Sequence, residues 1–207
     1  MSVARRLALG LALATLAATP AHLRAQAQMG AIAGATFSTL RGIDGLDTRT
    51  STLGGLSIVT SGGALAWQPE LLVVSKGAKQ GTTGSTGLKL DYVEIPLLLR
   101  ISLAPETPVN PHIYAGPYLG LQVSCNVQGT SAGCDDLPGV STRTVDAGGI
   151  AGGGVSLDVG GMMLTGGVRY SFGVSKVADL GVAPARQAAK NGVFAIYAGI
   201  GVRLGKR

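Results

Sequence analysis

The sequence predicts an all-β chain: a closed antiparallel up-and-down transmembrane β-barrel of about eight strands, behind a cleaved signal peptide. Three observations predict it. Apolar residues alternate with polar or small ones at a period of two over successive segments. The connections between those segments are short and long in turn. The mean hydropathy is positive, at +0.36, yet no segment after the leader is a continuous apolar run of the ~18 residues that a spanning helix takes. Charged residues make up only 14% of the chain, and glycine supplies 33 of 207 residues without a G-X-Y period. So much glycine disfavours helices, whereas tight turns and crowded strands tolerate it.

Residues 1–27 read as the signal peptide. Arg5 and Arg6 form a charged start, Leu7 to Ala18 is an apolar stretch, Pro20 breaks it, and Ala25-Gln26-Ala27 is a small-x-small cleavage site. The apolar stretch of twelve residues is too short for a membrane anchor, which needs ~20. Cleavage after Ala25 instead of Ala27 changes little. The mature domain, 28–207, loses Arg5, Arg6 and Arg24. It keeps 14 of the 17 basic residues against 11 acidic ones, so its formal charge falls from +6 to +3. No Lys/Arg run remains that would point to nucleic acid.

The strands follow in order. Met29–Leu40 is the first and Leu53–Thr60 a short second whose ends the pattern does not fix. Leu65–Lys76 is the third, with Trp67, Leu71 and Val73 outward and Gln68, Glu70 and Lys76 inward. In the fourth, Val93, Ile95, Leu97, Leu99 and Ile101 alternate with Tyr92, Glu94, Pro96, Leu98 and Arg100. The fifth, His112 to Cys125, is the clearest. Ile113, Leu119, Leu121 and Val123 share one face, and His112, Tyr114, Tyr118 and Gln122 the other. Arg143–Val159 is a glycine-rich sixth, Met162–Val174 a seventh and Val193–Leu204 the last. An even number of strands is what a closed bacterial barrel requires.

Short connections fall at Ser61–Ala64, Ala104–Asn110 and Gly160–Gly161. Longer ones fall near Arg41–Thr52, Gly77–Gly87, Asn126–Thr142 and Lys176–Asn191. Short periplasmic turns and long outer loops are the expected asymmetry of outer-membrane barrels. Outward aromatics complete the pattern as a sparse interfacial girdle. Trp67 lies towards the short turns, and Phe37, Phe172 and Phe194 lie towards the long loops.

Four stretches resemble the PorT-like outer-membrane β-barrel domain family, whose architecture is similar to small OmpX-type barrels. They are Gln68-Pro-Glu-Leu-Leu closing on Ser75-Lys76-Gly77, Tyr92-Val-Glu-Ile-Pro-Leu-Leu-Leu-Arg100, Tyr114-Ala-Gly-Pro-Tyr-Leu-Gly120 and Arg169-Tyr-Ser-Phe-Gly173. The resemblance implies a bacterial outer-membrane location and a barrel fold more than an activity. It also implies barrel assembly machinery as a partner. Such barrels usually end on an aromatic residue; here the end is Val202-Arg-Leu-Gly-Lys-Arg207, with Leu204 in that place.

Glu70, Glu94, Arg100 and Arg169 all fall on the inward set and are expected to form a lumen charge network, since buried charges are tolerated when paired. The bland reading is a plug of salt bridges; the sharper one is a gated path for ions or small solutes. Eight strands leave an interior just wide enough for side chains, which favours the plug. Cys125 and Cys134, the only cysteines, are expected to form a disulfide in the third long loop, because the periplasm oxidises thiols. Neither they nor Asp135 and Asp136 have enough partner ligands for a metal site. His112, the one histidine of the mature chain, reads as a turn residue at the periplasmic end rather than a catalytic base, and no G-x-S-x-G elbow is present. Gly148-Gly-Ile-Ala-Gly-Gly-Gly154 lacks the Lys-Ser/Thr of a phosphate loop and reads as small residues facing a tight lumen.

The expected role is structural, or surface interaction through the extracellular loops, with no cofactor and no enzymatic activity. The expected partners are outer-membrane lipid, the assembly machinery, and an extracellular ligand or protein met through the loops. A narrow channel is the alternative. A lipid-modifying enzyme and a soluble periplasmic ligand-binding barrel stand behind it.

Overall fold

A computed structural model describes residues 27–42, 46–60, 63–80, 86–128, 140–180 and 187–204. Its described elements are strands: β1 (Ala27–Arg41), β2 (Leu46–Thr60), β3 (Leu65–Gln80), β4 (Thr86–Ser102), β5 (Val109–Gln128), β6 (Val140–Thr142), β7 (Val145–Val159), β8 (Met162–Gly173), β9 (Ala178–Leu180) and β10 (Gln187–Leu204). Eight of them, all but β6 and β9, pair antiparallel in the order β1-β2-β3-β4-β5-β7-β8-β10. β10 returns to β1 in an unbroken register from Ala27↔Leu204 to Arg41↔Lys190. Closure removes both sheet edges, so backbone donors and acceptors find partners within the wall, as hydrocarbon demands.

The alternation predicted for each strand decides which side chain faces which solvent. On β5, Leu119 is 49% exposed while its neighbour Tyr118 is 3% exposed. Ile95, Leu97, Leu99 and Ile101 on β4 are exposed, and Tyr92, Glu94, Leu98 and Arg100 are buried. β10 presents Phe194, Ile196, Ile200 and Val202 outward and buries Val193, Ala195 and Tyr197. A belt of exposed Leu, Ile and Val around a closed wall has hydrocarbon as its matching solvent. Trp67 is outward on β3, and Phe37 meets Phe194 across the β1–β10 seam with ring centroids 6.2 Å apart.

The hairpin between β7 and β8 turns on Gly160 and Gly161, with φ of +64° and +94°. A two-residue loop with φ positive at both positions matches the twist of the flanking strands, and glycine adopts it without strain. Gly152 serves a different purpose. A Cβ there would sit 2.6 Å from the Tyr114 hydroxyl and from the Val168 carbonyl oxygen, so its absence is what lets the Tyr114 ring lie across the lumen.

Several expected boundaries need correction. β2 starts at Leu46 rather than Leu53, β3 runs to Gln80, β4 starts at Thr86, β5 runs to Gln128 and β10 starts at Gln187. On the short-turn side β1 also starts at Ala27 rather than Met29, and β5 at Val109 rather than His112, but most of the extra length is at the long-loop end. There the wall stands clear of hydrocarbon, both faces take polar residues, and alternation leaves no apolar signature to read. Arg49 is buried on β2 while Thr48 and Thr50 are exposed. The expected sixth strand starts at Val145, not Arg143, whose backbone N–H instead donates to Val177 O at 2.9 Å. β6 and β9 were not expected. They pair with each other, and β9 pairs with the start of β10, forming a small antiparallel extension above the barrel. The leader with Ala25 lies outside the described residues, and Ala27 opens β1, paired with both Thr60 and Leu204.

Candidate functional site: the filled lumen

Inward side chains fill the barrel in layers. At the short-turn rim Arg203 pairs with Asp158 at 2.8 Å. Above it Arg100 meets His112 Nδ1 at 3.1 Å, donates to Ser156 Oγ at 3.0 Å, and reaches Gln68 Oε1 at 3.4 Å. His112 is not the turn residue expected. β5 already begins at Val109, paired with Leu157, so His112 lies within a strand and its ring is buried at 2% exposure.

The middle layer holds Glu70 and Arg169. Arg169 Nη1 lies 2.7 Å from Glu70 Oε2 and Nη2 3.3 Å from Oε1. The guanidinium is flanked by the Tyr197 and Tyr114 rings, 4.6 and 5.7 Å from their centroids, and the two tyrosine hydroxyls join at 3.0 Å. Gln68 Nε2 also donates to Glu70 Oε1 at 2.7 Å. Around this polar axis, Ile32, Leu53, Leu72, Val74, Leu98 and Ile150 pack as the apolar core.

Lys76 organises the upper layer. Its ammonium bridges Glu94 and Asp146, the latter at 2.9 Å, and lies 4.5 Å from the centroid of Tyr118 and 5.1 Å from that of Tyr92. Asp146 accepts further hydrogen bonds from Asn191 Nδ2 at 2.7 Å, Ser175 Oγ at 3.0 Å and Tyr118 Oη at 3.1 Å. Four donors on one carboxylate hold its charge in place, which is the condition for burying it. Leu40, Ala78, Val177 and Ala189 then close the long-loop end with a second apolar cluster.

Of the four charges expected to form the network, the structure joins only Glu70 and Arg169 directly. Glu94 pairs instead with Lys76, and Arg100 makes its polar contacts with neutral side chains. Lys76 and Asp146 were legible as inward residues but not as members of a cluster, since alternation gives the face and not the partner. Cys125 is half-buried on β5; Cys134 lies outside the described residues.

A closed eight-stranded wall, apolar outside and packed with paired charges inside, defines a small transmembrane barrel of the outer-membrane kind. The chain belongs to the outer membrane protein beta-barrel domain family, which matches residues 26–179, and it resides in the bacterial outer membrane. No curated protein sequence matches it. Among solved structures it is similar to Neisserial surface protein A (NspA), at 17% identity over 86% of this chain and 97% of that one, with a TM-score of 0.55. It also resembles the Escherichia coli outer membrane protein W, at 14% identity over 88% of this chain and 100% of that one, with a TM-score of 0.49. A third likeness is to Ail, the attachment invasion locus protein of Yersinia pestis, in complex with the heparin analogue sucrose octasulfate. It has 12% identity over 86% of this chain and 99% of that one, with a TM-score of 0.46. NspA supports the fold.

Proposed function

We propose that this outer-membrane barrel acts at the cell surface, as a rigid stand that presents its extracellular rim and loops to a partner, and that it neither conducts nor catalyses. The observation that carries this reading is the contrast between a filled lumen and an extended rim. The outward apolar run of β3 stops at Val73, paired with Val93; the next outward pair is Ser75 and Asp91, hydrogen-bonded side chain to side chain. Lys89 pairs with the same Asp91 at 3.2 Å. β3 nevertheless runs on through Val74–Gln80, roughly 20 Å at ~3.3 Å per residue. That length serves no purpose in lipid and lifts the loops clear of it.

Three finer points belong to the same proposal. Cys125 and Cys134 form a disulfide that holds the third long loop in shape. The segment read as the leader, residues 1–27, is removed on export, with cleavage after Ala25 rather than Ala27 favoured by the pairing of Ala27 within β1. The chain falls in the PorT-like branch of its family, supported by the Tyr92–Arg100 stretch.

The test displays the full chain on a Gram-negative host and measures adherence of the cells to immobilised matrix protein and glycosaminoglycan. A second strain carries residues 129–139 replaced by a Gly-Ser linker. Loss of adherence with an unchanged heat-dependent gel shift supports the reading. Equal adherence of both strains and of cells without the barrel overturns it.

A further inference from the structure

The Arg100 layer differs from the other three charged layers, including the Arg203–Asp158 pair at the rim. Lys76 and Arg169 each touch carboxylates, but Arg100, 5% exposed, touches none. The nearest route to a negative charge runs through Gln68 to Glu70, whose charge Arg169 already matches. A buried guanidinium stays protonated, so this layer carries an uncompensated positive charge.

It also carries unused donors. Arg100 Nε and His112 Nε2 are buried without a hydrogen-bond partner among the described residues. His112 Nδ1 lies 3.1 Å from Arg100 Nη2 and 3.3 Å from the Asn110 carbonyl oxygen. Arg100 can only donate and makes the closer contact, so Nδ1 is assigned as its acceptor and the imidazole proton falls on Nε2. Leaving two buried donors unmet is costly, more so beside a charge.

Both residues line a cavity in the short-turn half of the lumen, with Gln28, Ser57, Thr165 and Tyr197 around it. Glycines at inward positions 30, 199 and 201 leave the space. About 40 Å³ is open to the centre of a water molecule, more than the ~10–15 Å³ that a single water requires. Gln28, Val59 and Gly201 lie near the strand ends on that side, so the cavity sits towards the periplasm.

We propose that this cavity is a binding site for a small oxyanion, a phosphate or carboxylate group entering from the periplasmic end, held by Arg100 and His112. Arg100 supplies the charge and the Nε–H donor; His112 supplies the second donor. Ser57 and Thr165 add hydroxyls. The site stands on cavity, charge and unmet donors, independently of what the loops do outside.

The experiment uses the ¹⁵N-labelled mature barrel in a sugar-headed detergent, which brings no phosphate of its own. Inorganic phosphate and acetate are titrated separately against chloride at equal ionic strength. Saturable shifts of the Arg100 Nε–H and His112 Nε2–H resonances are expected with at least one anion. Two variants should weaken binding roughly tenfold or more: Arg100→Gln, which removes the charge, and Ser156→Asp, which supplies an internal carboxylate 3 Å-scale from Arg100. Ser57→Leu, which fills the cavity and spares Arg100, should do the same and serves if Arg100→Gln fails to fold. Shifts that never saturate, as for a site holding water alone, overturn the proposal. So does saturation at the same concentration in wild type, Ser156→Asp and Ser57→Leu.

Discussion

Arg169 on β8 grips Glu70 on β3 with both terminal nitrogens, across the centre of the barrel and between two tyrosine rings. The two residues are far apart in sequence and on strands that are not neighbours in the wall. Their contact therefore braces the barrel across its lumen rather than along it.

Breaking that brace on one side should cost more than removing it whole. Arg169→Met leaves the Glu70 carboxylate buried, and loss of one partner of a buried pair costs about 3–5 kcal/mol. The double variant with Glu70→Leu should recover a substantial part of it. Urea unfolding in detergent, followed by fluorescence of Trp67, the only tryptophan, measures both. Equal destabilisation by the single and double variants would deny the pair its bracing role.

The lipid-facing belt predicts an asymmetry on β5. Leu119→Arg places a charge on the outer face, at ~2–4 kcal/mol near the bilayer midplane. Gln122→Arg places it on the half-buried inner face, two residues along from Gly120, which lies opposite Glu94 and Asp146. Tyr118 is a poor inner control, because its ring lies against Lys76. Assembly, read as heat-modifiable protein in the membrane fraction, should fail far more often for Leu119→Arg. Comparable yields would count against a hydrocarbon-facing surface.

Gly152→Val tests the packing of the lumen wall. Its added carbon meets Tyr114 and the Val168 carbonyl at once, and overpacking of this kind costs about 1–3 kcal/mol. Tyr114→Phe would not relieve it, because Tyr114 Cζ would stay 2.7 Å from the new carbon. Tyr114→Leu removes the ring and with it one of the two clashes, so the double variant should lose less stability than the two single variants summed. No loss of stability in Gly152→Val would mean that the tyrosine does not lie where the structure places it.

Layers of paired charge and apolar side chains leave the lumen without a path for ions. Purified barrel in planar bilayers should therefore give no discrete conductance steps. Defined single-channel openings from correctly folded wild type would reverse the reading of the lumen as a plug.

The sequence by itself determined the wall. Side chains alternate on a strand for geometric reasons, so Leu119 outward and Tyr118 inward follow from position alone, and with them the strands, the short turns and the two solvents. It could not place the ends that rise above the membrane, such as Leu46–Thr52, because water on both sides erases the alternation. Nor could it pair the inward charges. Glu94 and Arg100 share β4 and stand six residues, roughly 20 Å, apart, so they cannot meet. Whether Glu94 meets Arg169 or Lys76 depends on how far each strand is shifted against the next around the closed wall. That stagger exists only once the barrel shuts, and it is what gave Lys76 two carboxylates and left Arg100 with none.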